Sequence, residues 1–124
     1  MTYPQTSRFM ILGLLMTGIF DGEVLAQTAS LPQRHVVEIK DFAFQPTHII
    51  VEPGDTVVWI NKDFVPHFVS LVDGKWQSDV LEENQSWKLL VKEAGFFNYV
   101  CVFHPEMTGK VISGDEYSLI HSQH

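Results

Sequence analysis

The sequence predicts an all-β fold, an antiparallel β-sandwich, and three observations carry that reading. Short runs of β-branched and aromatic residues recur along most of the chain. Turn-forming residues separate them, and no long helical period follows the N-terminal segment. The third observation is the balance of the 124 residues: 45% hydrophobic and 19% charged, which suits one domain with a packed core.

Each element can be justified in order. Residues 35–40 (HVVEIK) make a first strand, and Phe42, Phe44 and Pro46 lead into another over His48 to Val51. Glu52-Pro53-Gly54-Asp55 is a turn, with Pro and Gly where turns use them. Thr56 to Ile60 is β-branched and aromatic and stops at Asn61-Lys62-Asp63. His67 to Val72 is a further strand, ended by Asp73-Gly74. Residues 75–85 are the least strand-like and are expected as a loop or short helical turn. In residues 86–92, Trp87, Leu89 and Val91 share one face and Lys88, Leu90 and Lys92 the other. After Gly95, residues 96–102 (FFNYVCV) run extended, and residues 110–112 close the set. Trp59, Trp87, Phe97 and Tyr99 read as core. His35, His48, His121 and His124 stand at no metal-ligand spacing and are expected in solvent.

The N-terminus has a different character. Arg8 precedes an apolar run from Phe9 to Phe20, then Val24-Leu25-Ala26 before Gln27, the order of a secretory signal. The run is shorter than the roughly 20 residues that span a bilayer. The expected organisation is a signal peptide over residues 1–26 and one domain over 27–124. An uncleaved anchor is the alternative, because Asp21 and Glu23 lie close to the cleavage point. The whole chain carries a formal charge of -7, which argues against nucleic-acid binding and gives no basic arm for anionic lipid. Removing the leader takes away Arg8, Asp21 and Glu23 and leaves -6.

Cleavage would also leave Met107 as the one methionine of the domain, beside Cys101, the one cysteine of the chain. Exported cysteines usually pair, so a lone one is a buried thiol, an intermolecular link or a metal ligand. Cys101 stands three residues before His104, which stands three before Met107. Strand alternation puts Phe97, Tyr99 and Cys101 on one face, and two aromatics mark that face as the core. His104 and Met107 then fall in the connection that follows, while His67 opens a strand from elsewhere after Pro66. Thiolate and thioether suit Cu(I), imidazole suits either copper state, and two His, one Cys and a long axial Met form a blue-copper set. Zinc would take the Cys and both His, but thioether is a poor zinc ligand.

Residues 55–67 (DTVVWINKDFVPH) and 101–107 (CVFHPEM), joined through Gly95 to Tyr99, resemble the cupredoxins, or blue copper proteins. The two-residue gaps from Cys to His and from His to Met are the spacing of the amicyanin branch. The resemblance implies a Greek-key sandwich holding one copper through His67, Cys101, His104 and an axial Met107. It also implies single-electron transfer in the periplasm, between partners such as a dehydrogenase and a c-type cytochrome, by a soluble monomer that is not an enzyme. The sequence departs from the family pattern at Phe68, where Asn is usual, and at Phe103, where Pro is common; Val100 also replaces the Tyr of plastocyanins.

Taken singly, each ligand has a plainer reading: Cys101 as a small core hydrophobe, Met107 as filler, the histidines as surface residues. Their joint spacing favours copper. A copper-delivery protein is the alternative, although such proteins use exposed Met or Cys clusters; ready loss of copper to a chelator would distinguish it. Multicopper catalysis needs further histidine clusters, and Cys-His nucleophilic catalysis needs a third orienting group. Phe64, Val65, Pro66, Phe103 and Pro105 form an expected apolar rim at the ligand end. Glu82-Glu83 and Asp115-Glu116 read as solvated loop charge.

Overall fold

A computed structural model of the chain describes residues 31–121. The leader expected over residues 1–26 and the last tail residues, 122–124, lie outside the described residues. The described elements are β1 (Arg34–Lys40), β2 (Ala43–Gln45), β3 (His48–Val51), β4 (Thr56–Asn61), β5 (Ser70–Leu71), β6 (Ser86–Leu90), β7 (Gly95–Cys101), β8 (His104–Ser113) and a short helix, α1 (Glu116–His121). The strands form two sheets, ordered β2-β1-β4-β6 and β3-β8-β7-β5. The β-sandwich is therefore present as expected. Most neighbours run antiparallel; β1 with β4 and β3 with β8 run parallel, because the chain changes sheet between them.

Alternation decides which side chains meet between the sheets. In β1, Val37 and Ile39 are fully buried while Val36, Glu38 and Lys40 face out. In β6, Trp87 and Leu89 pack on the core while Lys88 and Leu90 are exposed, the division expected from sequence. Trp59 of β4 lies at the centre, with ring centroids 5.4 Å from Trp87, 5.9 Å from Trp76 and 5.3 Å from Tyr99. Removing such a side chain costs about 3–5 kcal/mol, so this cluster fixes how the sheets face each other. Tyr99 sits opposite Gly109 in the β7–β8 ladder. A Cβ at Gly109 would come within 2.3 Å of the Tyr99 ring, so the ring needs glycine there.

Three local features differ from the expectation, each for a long-range reason. The strand expected from His67 to Val72 shrinks to β5, because His67 instead makes an isolated bridge to Leu81. Residues 75–85 accordingly fold back along this segment, burying Ser78 and Leu81 and placing Trp76 on Trp59. The last strand is much longer than residues 110–112, since β8 is flanked by β7 on one side and β3 on the other. His35, expected in solvent, is half-buried, with Nε2 2.8 Å from Asp55 Oδ2. Asp55 also accepts the N–H groups of Gln33 and Glu52. The Glu52 and Gln33 N–H groups, with the His35 ring, hold its carboxyl down at about 2.

Candidate metal centre

Two segments bring the expected ligands together. Cys101 ends β7 and His104 begins β8, with the turn at Val102 and Phe103 between them. A register shift between Val100 and Cys101 lets this turn close. His104 and Met107, expected in a loop, therefore lie on the first residues of a strand, where the ladder holds their backbone. His67 arrives from the segment after β4. Its N–H donates to the Leu81 carbonyl at 3.0 Å, and the Leu81 N–H donates back to the His67 carbonyl at 2.8 Å.

Cys101 and His67 are fully buried, Met107 is buried in the same core cluster as Cys101, and His104 is half-buried. The Cys101 Sγ lies 3.7 Å from Nδ1 of His67 and 3.7 Å from Nδ1 of His104. One donor atom from each of the three residues falls within 4.8 Å of the others. Metal–sulfur and metal–nitrogen bonds of about 2.3 and 2.0 Å at a wide angle put S and N roughly 3.6–3.8 Å apart. The observed spacing fits a shared metal ion, and a buried thiol converging on two imidazole nitrogens has no packing purpose of its own.

Residues around the triad fix these positions, and Asp63 is one the sequence reading missed. Its Oδ2 lies 2.8 Å from His67 Nε2, which leaves Nδ1 as the ring's free lone pair toward Cys101. The same carboxylate accepts the backbone N–H groups of Asp41 at 2.8 Å and Phe42 at 3.0 Å. Burial opposes ionisation of Asp63, but the N–H groups of Phe42 and Asp41 and the His67 ring outweigh it and keep its pKa below the usual carboxylate value. Asn61, fully buried, holds the segment from behind. Its Nδ2 donates to the carbonyls of Val65 and Leu81, and its Oδ1 accepts the Asp63 N–H. Asp63 had read only as a turn residue. Its position four residues before His67 was the available signal.

Aromatic rings complete the surroundings. Phe68 and Phe103, the two departures from the family pattern, stack on each other at 5.4 Å and 23°. One follows His67 and the other precedes His104, so their contact joins the two ligand-bearing segments. Phe42 meets both ligand imidazoles edge-on, 5.5 Å from His67 and 5.0 Å from His104. Phe64 is 89% exposed, which sets it on the surface rather than in the loop packing. Deeper in, burial raises the Tyr99 phenol to about 12, with Trp59 acting weakly in the opposite direction.

A two-layer β-sandwich that brings one buried thiol and two imidazoles together at one place is the architecture of a single-metal, sulfur–nitrogen site. The chain belongs to the cupredoxin family: the family model for a cupredoxin-like domain matches residues 9–113. Among individual proteins it is similar to the amicyanin of Paracoccus denitrificans, with 35% identity over 82 residues, 62% of this chain and 63% of that protein. It is also similar to amicyanin-alpha of Methylorubrum extorquens, with 30% identity over 61% of this chain and 68% of that protein. The alignment thus spans somewhat less than two thirds of the Paracoccus protein's length. Among solved structures, a copper(I) amicyanin variant aligns with a TM-score of 0.62 and 33% identity, over 64% of this chain and 81% of that one. Another copper(I) amicyanin variant gives 0.63 and 32%, over 71% and 87%.

Proposed function

We propose that this protein is a type 1 copper protein that carries single electrons between redox partners, with copper held by His67, Cys101, His104 and Met107. The observation that carries the reading is the buried convergence of Cys101 Sγ on two histidine Nδ1 atoms, 3.7 Å from each. When bound by thiolate, two imidazoles and a thioether, copper supplies a reversible Cu(I)/Cu(II) couple.

The protein's part is to hold the donors in place. Cys101 is fixed at the end of a core strand, with Tyr99 packed two residues before it. His67 is held at its backbone by Leu81 and at its ring by Asp63, so its nitrogen has little freedom to swing. Met107, buried in the same core cluster as Cys101, would supply a fourth donor, a soft thioether. A site with all four positions filled by the protein would support a carrier rather than an enzyme. His104 is the half-buried member, so its ring edge is the nearest route between the site and a partner. The exposed Phe64 and Phe103 support the apolar rim around it as a docking surface.

The amicyanin relatives and the signal-like N-terminus support export to the periplasm, with the leader removed after residue 26. A periplasmic dehydrogenase as donor and a c-type cytochrome as acceptor are the partners this reading names, met by a monomer without membrane insertion. Among the described residues no helix is long and apolar enough to cross a membrane. The deciding experiment is a visible spectrum of the domain loaded with Cu(II). An intense thiolate-to-copper band is expected, lost in Cys101→Ser and retained with altered position in Met107→Leu. A tightly loaded but colourless protein would refute the assignment.

A further inference from the structure

The turn joining β1 to β2 consists of Asp41 and Phe42, with φ of +54° and +58°. Two-residue hairpin turns of this hand normally use Asn or Gly, and a bulky aromatic at positive φ is a genuine outlier. Backbone strain of this kind persists only where the surroundings over-determine it. Here the cause is visible: both turn N–H groups donate to the Asp63 carboxylate, which also binds the His67 ring. The result is a ring set edge-on against both ligand imidazoles, with its other side in solvent at 51% exposure.

A glycine would make the turn without strain. The geometry points to a different role: Phe42 is an aromatic cap, clamped by Asp63, that fixes the two imidazoles and keeps water, thiol reagents and small anions from the Cys101–His104 side of the site. One carboxylate therefore sets both a ligand ring and the lid above it. Phe42 acts through the histidines and is a positioning residue. The inference rests on the metal-site reading above, so its test includes a measurement that needs no metal.

In the metal-free full chain, the rate at which Cys101 reacts with an aromatic disulfide reagent reports access to the site. Phe42→Ala is expected to raise that rate about tenfold, the scale of two lost edge-to-face aromatic contacts. In the copper-loaded protein the same variant should lose metal to a chelator faster by a similar factor. Added azide should shift its visible spectrum while leaving the wild type unchanged. Phe42→Gly removes the ring and the strain together. If the ring is the cap, Phe42→Gly reacts as fast as Phe42→Ala despite a relaxed turn, and Phe42→Leu falls between alanine and wild type. Thiol reactivity within about twofold of wild type in both the alanine and glycine variants would overturn the proposal. The thiol result stands whether or not copper gives the expected colour, so failure of the cap and failure of the copper reading are separable.

Discussion

Gly109→Ala should be among the most damaging single-methyl additions in this domain. The added Cβ would sit 2.3 Å from Tyr99 Cζ, 2.4 Å from its hydroxyl oxygen and 2.6 Å from Cε2. Ordinary carbon contacts are about 3.5–4.0 Å, so the ring must retreat by more than about 1 Å. It has nowhere to go: Tyr99 is fully buried, with Phe44 at 4.7 Å and Trp59 at 5.3 Å between ring centroids. Overpacking of this kind costs about 1–3 kcal/mol, while the stiffer unfolded chain of the alanine variant returns ~0.4–1 kcal/mol. A net loss of about 1.3 kcal/mol is expected. At about 4–8 °C per kcal/mol for a domain of this size, Tm should fall by roughly 5–10 °C. Thermal unfolding of the metal-free protein followed by circular dichroism gives the number. The variant pair Gly109→Ala with Tyr99→Leu should be less destabilised than the sum of its parts by about 1 kcal/mol or more, because leucine vacates the contested space. A Gly109→Ala protein melting within about 2 °C of wild type, or a strictly additive pair, would refute the reasoning.

Other expectations concern the site and its rim. Phe68→Ala and Phe103→Ala should couple by about 0.5–1.5 kcal/mol in a urea double-mutant cycle, since each removes one ring of a stacked pair; zero coupling would mean that the stack does not tie the segments together. Asp55 has a folded pKa of about 2 against an ordinary 3.8, so its contribution is complete above about pH 4, shrinks as pH falls and is gone below about 2. The urea midpoint of Asp55→Asn should accordingly lose part of the wild type's decline across that window; an identical decline would remove Asp55 as its source. Phe64→Lys or Val65→Lys should slow electron transfer to a natural partner with the visible spectrum intact. Normal rates in both would exclude that rim as the docking face.

What could be read in the sequence followed from locality. Cys101, His104 and Met107 lie within seven residues, and the alternation of Phe97, Tyr99 and Cys101 placed the thiol inward without any tertiary knowledge. His67 was legible through the resemblance carried by residues 55–67, whereas the strand expected to open at it shrinks to Ser70–Leu71. Residues that depend on distant partners were not. Asp63 acquires its role from N–H groups 21 and 22 residues away, and Phe42 from a positive φ that nothing in its neighbours specifies. His35 looked solvent-bound until Asp55, 20 positions on, came within 2.8 Å. The segment 75–85 has no strand pattern because it pairs only at isolated points, through Gln77 and Leu81. The stack of Phe68 on Phe103 joins two departures from the family pattern that the linear sequence shows only as separate substitutions.

His67 and Cys101 are separated by 34 positions and belong to different stretches of the chain, one following β4 of the first sheet and the other ending β7 of the second. Coordination to a common ion would thus act as a reversible staple across the sandwich, much as a disulfide closes a loop. The chain-entropy formula for a loop of that length gives about 4 kcal/mol as an upper scale for such closure. The loaded protein could not unfold completely while both residues kept hold. Its unfolding would have to pass through release of one of them, so thermal endurance and metal retention should rise and fall together in this molecule.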